Sequence, residues 1–410
     1  MRRTRFWFYA SMVLAIFSFT TLLSGPARAA STEQVLYSFA GDDDGEYTDS
    51  DLVLDSAGNI YGTTVQGGAF GTGTVFQITP SGIHTVLYSF TGGADGGQPY
   101  KGVTLDAQGN LYGTAVVGGT FTGPCVESGC GVAYKLSNSG GVWTQSVIHT
   151  FTGGNDGYGP GAGVAFDKHG NLLGMTPTGG AKGFGIIYEL KAGTWQERVI
   201  HTFTGGKDGA TGSAGRLILD SAGNFYGVAT AGGANGSGTA FELTPAAGGK
   251  WTFKVLYAFK GSPDAGFPYG ALAFDASGNL YGTTYYDGAN DLGSVYKLTN
   301  NNGTWSESVL YSFKGGTDGS SPISNVVVDA SGNLYGTTSE GGAGCSCGTV
   351  FKLTAGRNGK WTETVSYRFQ GQPDGGFVYN GMVADSAGIL YGATVHGGVD
   401  NEGAIFKFVP

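Results

Sequence analysis

The 410-residue chain is poor in charge. Asp, Glu, Lys and Arg together make up 13% of it, about half the ~25% of an average soluble protein. Lys and Arg number 22 against 31 Asp and Glu, for a formal net charge of -9 with no basic run, which excludes the basic face that a general nucleic-acid binder presents. Proline is scarce, 12 residues against 78 glycines, and the glycines fall at fixed offsets in a long period rather than at every third residue. Collagen and disordered linker are both excluded by that pattern. No Gly-x-Ser-x-Gly, His-Glu-x-x-His or phosphate loop occurs, so the common hydrolase, metalloprotease and nucleotide signatures are missing. Beyond residue 23 no apolar run is long enough to span a bilayer. A sustained 3.6-residue apolar period is also missing after the leader, which removes amphipathic helices from consideration.

What is present is a repeat. Asp55-Ser-Ala-Gly-Asn-Ile-Tyr-Gly62 is followed by related copies beginning at Asp106, Asp167, Asp220, Asp275, Asp329 and Asp385, with steps of 51, 61, 53, 55, 54 and 56 residues. The stretch reads as a strand end, a tight turn and a new strand, in which Gly58 and Asn59 tolerate positive φ and Ile60 to Thr64 favour β structure. Each unit carries four strand signals in fixed order. Strand A is apolar, as in Arg216-Leu-Ile-Leu-Asp220, and strand B is the Asn-Leu-Tyr-Gly-Thr-Thr segment. Strand C alternates aromatics and aliphatics, as in Gly348-Thr-Val-Phe-Lys-Leu-Thr354, and strand D ends in phrases such as Val309-Leu-Tyr-Ser-Phe313. Seven helix-free, four-stranded antiparallel units imply an all-β, seven-bladed β-propeller, since ring closure removes the sheet edges that an open stack leaves exposed. The alternative, a β-helix, has shorter turns and rarely contains a four-strand meander. The ends fit a ring: the repeats open with a lone D strand, Val35 to Phe39, and finish with a C strand, Gly403 to Val409. The first is expected to complete the last blade, making residues 31–410 one propeller.

Arg2, Arg3 and Arg5, the apolar run from Phe6 to Leu23, and Ala27-Arg28-Ala29 predict a secretory signal peptide over residues 1–29. A periplasmic or extracellular protein follows, free of the membrane after cleavage. In that oxidising setting Cys125 with Cys130, and Cys345 with Cys347, are expected to form local disulfides, the second closing a tighter ring. A zinc site would require the two loops to meet across the ring.

The phrases Leu-Tyr-Ser-Phe-x-Gly-Gly-x-Asp-Gly, Gly-Asn-Leu-Tyr-Gly-Thr-Thr and Gly-Thr-Val-Phe-Lys-Leu-Thr resemble the bacterial tandem repeat labelled GloVer, found in secreted "choice-of-anchor" proteins. The A-to-B corner is more loosely similar to that of NHL and SMP-30-type propellers. The GloVer resemblance spans nearly all of the chain after the leader; it implies a secreted repeat protein and brings no catalytic residue to carry over. The chain ends within strand C with no C-terminal sorting segment, a departure from the anchored pattern.

Two sets of residues could carry function. Asp44, Asp95, Asp156, Asp208, Asp264, Asp318 and Asp374 recur between strand D and the next strand A, and a turn role in which each carboxylate accepts backbone N–H groups accounts for them. Antiparallel alternation puts the D-to-A and B-to-C loops on one face, where the blades differ. That face is expected to present Asp49, Asp51, Tyr100, Lys101, Arg216, Tyr269, Asn325, Tyr379 and Asn380 at the mouth of strand A, with Glu340 and His396 at ends of strand B. His149 and His201 stand where other blades have the strand D tyrosine, and are read as its substitutes. Tyrosines with amide and carboxylate partners suit a saccharide or another polar ligand, with Tyr100, Tyr269 and Tyr379 as first contacts. The expected function is an exported, non-catalytic binding or interaction module for a polar ligand, saccharide or protein. Alternatives are an extracytoplasmic polysaccharide hydrolase or lyase, and a structural envelope protein. No cofactor, metal or nucleic-acid partner is expected, and a monomer is.

Overall fold

The computed structural model describes residues 31–212, 215–342 and 344–410. Within them the chain forms seven antiparallel sheets, one from each repeat. In the first, strand A (Val53–Leu54), strand B (Ile60–Thr64), strand C (Thr74–Ile78) and strand D (His84–Ser89) are bonded in that order. Blades 4 and 5 each add a short strand, Ala210–Gly212 and Ala265–Pro268, against the outer end of strand B. The ladder of strand A is only two or three residues long. The residues just before it are released from pairing and face the channel instead.

Seven hydrophobic clusters hold the sheets together, and each joins neighbouring blades. Phe90 and Val75 of blade 1 pack with Tyr134 and Leu111 of blade 2, and the pattern continues around the ring. The last cluster puts Ile405 and Ala393 of blade 7 against Phe76, Ile60 and Leu52 of blade 1. Rings such as Phe76, Phe90 and Phe151 are fully buried, each contributing roughly 2–3 kcal/mol by removal from water. Closure is also secured by backbone hydrogen bonding: Thr32–Ser38 lies antiparallel to Ala404–Val409, with Thr32 opposite Val409 and Ser38 opposite Ala404. The seventh blade thus takes strands A to C from the C-terminus and strand D from the N-terminus.

The corner motif is a hydrogen-bonded knot. Asp55 Oδ1 accepts the N–H groups of Ala57 and Asn59, both at 2.9 Å, while Oδ2 accepts Asn59 Nδ2 at 2.8 Å and the Tyr61 hydroxyl at 3.1 Å. Burial alone would raise the Asp55 pKa, but these donors, Asn59 foremost, hold it below the usual carboxylate range. Gly58 takes the positive φ, 81°; Asn59 does not, and contributes its side-chain amide instead. Five corners, those of Asp55, Asp106, Asp220, Asp275 and Asp385, take the Tyr hydroxyl together with backbone donors in the same way. The glycine of Tyr-Gly in strand B has a different cause. A Cβ on Gly62 would lie 2.6 Å from Phe76 Cζ and 2.9 Å from Leu52 Cδ2, so the ring of strand C occupies the space of the missing side chain.

The repeated turn aspartates are engaged by the backbone. The N–H groups of Ala40, Thr152, Lys314 and Gln370 donate to Asp44, Asp156, Asp318 and Asp374 at 2.8–3.0 Å, and Thr91 and Thr204 do the same for Asp95 and Asp208. Asp264 instead faces Lys260 at 3.7 Å. Cys125 pairs with Cys130 and Cys345 with Cys347, each pair inside one B-to-C loop. No free cysteine remains among the described residues, so the thiols are not gathered on zinc. These bonds fit an oxidising compartment, and no helix among the described residues is long and apolar enough to cross a membrane. The export signal expected over residues 1–29 lies outside the described residues.

Candidate functional site

Because every strand A enters the ring at the same register, residues at equal distance before the corner Asp form tiers around the channel. Six positions before it stand Asp49, Tyr100, Gly161, Tyr269, Ile323 and Tyr379, and all six line one cavity of about 680 Å³. Its upper wall comes from the ends of strand B and the loops of the same face: Val116, Val117, Tyr158, Pro177, Thr178, Thr230, Tyr285 and Glu340. Where blades 2, 5 and 7 carry a tyrosine in this tier, blade 3 carries Gly161 followed by Ala162. The small residues there leave blade 3 without an aromatic ring in this tier.

One residue deeper, Lys101 and Asn380 close the floor with Asp49. Lys101 Nζ donates to Asp49 Oδ1 at 2.9 Å and to Asn380 Oδ1 at 2.7 Å, and Asn380 Nδ2 donates to the same Asp49 oxygen at 2.6 Å. Burial works against the Lys101 ammonium, but Asp49 and Asp51 outweigh it and hold its pKa above the ordinary lysine value. The space left around Lys101, Asp51, Asn325 and Asn380 is about 10 Å³, enough for little more than one water. Asp51, Arg216 and Asn325 reappear around a separate cavity of about 220 Å³ on the far side of this constriction. Burial pushes the Asp51 carboxyl up, and the charges of Arg216 and Lys101 oppose that.

The residues singled out in the sequence therefore divide. Tyr100, Tyr269, Tyr379, Lys101, Asp49 and Glu340 share the upper cavity, whereas Asp51, Arg216 and Asn325 lie beneath it, with Asn380 in the floor between. His396 stands apart, its ring 5.1 Å from that of Tyr47 and 5.5 Å from that of Phe377, so it does not converge with Glu340. Tyr158, Tyr285 and the Pro177-Thr178 edge complete the wall. Tyr285 was visible only as a departure from the consensus end of strand B, and Tyr158 sits in a D-to-A loop whose neighbours offer Glu46, Gly97 or Ser320 at that place.

The site is aromatic and mostly uncharged at its lip. Tyr285 and Tyr286 lie with ring centroids 4.0 Å apart, and their hydrogen bond, with burial, pushes the Tyr285 hydroxyl up to about 12. Burial and the nearby Asp49 carboxylate raise Tyr100 and Tyr379 also. All three phenols are neutral donors across the physiological range. The opposite face has open grooves as well, but they repeat one design. Asp106, Tyr112, Phe166 and Trp195 line one, and Asp220, Tyr226, Phe274 and Trp305 line another two blades on.

The Gloeobacter/Verrucomicrobia repeat model matches residues 16–126, 122–344 and 249–410. The chain belongs to the Gloeobacter/Verrucomicrobia repeat family. No curated protein sequence matches this family member. Among solved structures it is similar to a Bacteroides uniformis protein described as a "putative 6-phosphogluconolactonase", at 14% identity and a TM-score of 0.54, over 82% of this chain and 88% of that one. A Xanthomonas campestris gluconolactonase matches at 12% identity and a TM-score of 0.43, over 92% and 89% of the two chains. At such identities the likeness is one of fold, and the first of them supports the propeller assignment for this repeat protein.

Proposed function

We propose that this repeat protein is a non-catalytic binding module that takes a saccharide-like polar ligand in the upper channel cavity. The observation that carries it is the convergence of Tyr100, Tyr158, Tyr269, Tyr285 and Tyr379, from four blades, on one cavity of about 680 Å³. That is the size range of small-ligand sites. Aromatic faces stack on the apolar face of a sugar ring, while phenol hydroxyls and Glu340 supply directional hydrogen bonds at the rim. The strongest charges, Lys101 and Asp49, are already satisfied by each other and by Asn380, which leaves them to fix the floor rather than to exchange protons with a substrate. A polysaccharide hydrolase or lyase would call for an acid and a base facing one another across the cavity, and Glu340 and His396 are not so placed.

A calorimetric and glycan-array screen of the protein tests this. Neutral or acidic oligosaccharides should bind with one site per chain. Each stacked ring contributes about 1 kcal/mol, so Tyr100→Ala with Tyr379→Ala should weaken binding by roughly tenfold or more. Binding that is unchanged in this double variant, or turnover of the bound glycan, would overturn the proposal.

A further inference from the structure

Each boundary between neighbouring blades carries the same three positions on its outer edge. They are the strand D residue that is usually Tyr, the turn Asp seven residues later, and the residue four places before the strand D Tyr or His of the next blade. At four boundaries a tyrosine hydroxyl donates to the Asp: Tyr37 to Asp44 at 2.7 Å, Tyr88 to Asp95 at 2.9 Å, Tyr311 to Asp318 at 2.7 Å, and Tyr367 to Asp374. At a fifth, His201 Nε2 meets Asp208 at 3.0 Å, and at a sixth Tyr257 donates to Glu307 at 3.2 Å.

The boundary between blades 2 and 3 breaks the pattern. Its three residues are His149, Asp156 and Glu197, and one ligand atom from each lies within 4.8 Å of the other two. Among the described residues this is the one such group of three His, Cys, Asp or Glu side chains. His149 Nε2 and Glu197 Oε1 are withdrawn from solvent with no hydrogen-bond partner. The imidazole is held edge-on against Phe151, centroids 4.7 Å apart, and Asp156 is fixed by the N–H and hydroxyl of Thr152 at 2.9 and 2.7 Å. Glu33 and Glu363 also present a buried, unpartnered Oε1 at their boundaries, but there the opposing group is a tyrosine that gives its proton to the Asp. His84 Nε2 and Asp44 Oδ1 are likewise unpartnered at the boundary of blades 7 and 1, but there Tyr37 stands in place of a third ligand; among the described residues it is the boundary of blades 2 and 3 that brings an imidazole and two carboxylates together.

We infer that His149, Asp156 and Glu197 form a divalent metal site that clips blade 2 to blade 3. One imidazole and two carboxylates suit a first-row ion such as zinc, with water completing the shell. Mg²⁺ prefers all-oxygen, well-hydrated sites. A small rotation of the side chains brings atoms spaced within 4.8 Å to the ~3.3 Å edge of a tetrahedron with ~2.0–2.1 Å bonds. The ligands come from the end of one blade, its D-to-A turn and the start of the next blade's strand D, so the ion would restrain the outer edge of that boundary, near the Cys125–Cys130 disulfide that packs over Gly153.

The test uses protein stripped with chelator and titrated with Zn²⁺ by calorimetry, with Tm followed in parallel. One Zn²⁺ per chain should bind at micromolar or lower concentration and raise Tm, Mg²⁺ should do neither, and anomalous scattering should place the ion at the boundary of blades 2 and 3. His149→Tyr restores the residue of the neighbouring boundaries and should fold as the parent does. It should lose Zn²⁺ affinity by about 100-fold or more, beyond what loss of an outer-shell partner costs. Glu197→Gln, which preserves shape, should weaken binding in the same direction. Stoichiometric Zn²⁺ uptake that survives His149→Tyr, or no saturable uptake by the parent protein, would overturn the site.

Discussion

The ammonium of Lys101, from blade 2, rests 2.9 Å from the Asp49 carboxylate of blade 1, with side chains only 9% and 17% exposed. Asn380 of blade 7 bonds to both, so three blades meet on one charge pair beneath the cavity. Replacing Lys101 by Met removes the cation and leaves Asp49 and Asp51 together in the channel. Breaking a buried pair from one side costs about 3–5 kcal/mol. The denaturant midpoint of Lys101→Met should fall accordingly. A variant as stable as the parent would show that water enters the channel and screens these carboxylates.

The N-terminal strand should be needed for a closed ring. Deleting residues 31–39 exposes the edge of Ala404–Val409 and removes Phe39, which is fully buried between blades 7 and 1. An unpaired edge recruits other chains. Size-exclusion chromatography should show oligomers or aggregate in place of the parent's peak, and Tm should drop. An unaltered elution profile and Tm would mean that the ring closes without this strand.

Glu33 links the same closure to pH. Burial and the Asp374 carboxylate raise its pKa from 4.5 to about 7, with the neighbouring Tyr367 hydroxyl opposing them. The folded chain holds this proton more tightly than the unfolded one. Its contribution is therefore fully present below about pH 4.5 and is lost as pH rises through about 7. Glu33→Gln mimics the protonated form. The Tm of the variant should match the parent near pH 5 and exceed it near pH 8, a difference that cancels the titration of the histidines common to both. A Tm gap that does not change with pH would remove Glu33 as its source.

Gly62→Ala should destabilise the first blade. Its Cβ would stand 2.6 Å from the tip of Phe76 and 2.9 Å from Leu52, and overpacking of this kind costs about 1–3 kcal/mol. Gly62→Ala combined with Phe76→Leu should recover part of the loss, because the shorter side chain vacates the contact. Equilibrium unfolding of Gly62→Ala, Phe76→Leu and the double variant measures the coupling, and a double variant destabilised by as much as the sum of the singles or more would contradict the packing argument.

The sequence alone determined the number of blades, the four strands in each and the sharing of the last blade between the two ends. These follow from local chemistry repeated seven times: an Asp-Gly-Asn corner can make only a tight turn, alternating apolar residues can only bury one face of a strand, and an orphan D strand needs an orphan C strand. Both disulfides were legible for the same reason, since each joins cysteines a few residues apart. The tier of Tyr100, Tyr269 and Tyr379 was legible too, because repeat register fixes height along the channel. Depth and neighbourhood were not. That Lys101 is spent on Asp49 and Asn380, that Asp51 and Arg216 fall below the constriction, and that His396 turns to Tyr47 and Phe377 depend on side chains from different blades competing for the same few ångströms. The cluster of His149, Asp156 and Glu197 was hidden likewise. Glu197 lies 48 residues from His149 in the chain, and only the lateral packing of one blade on the next brings a carboxylate from the second to an unpartnered imidazole on the first.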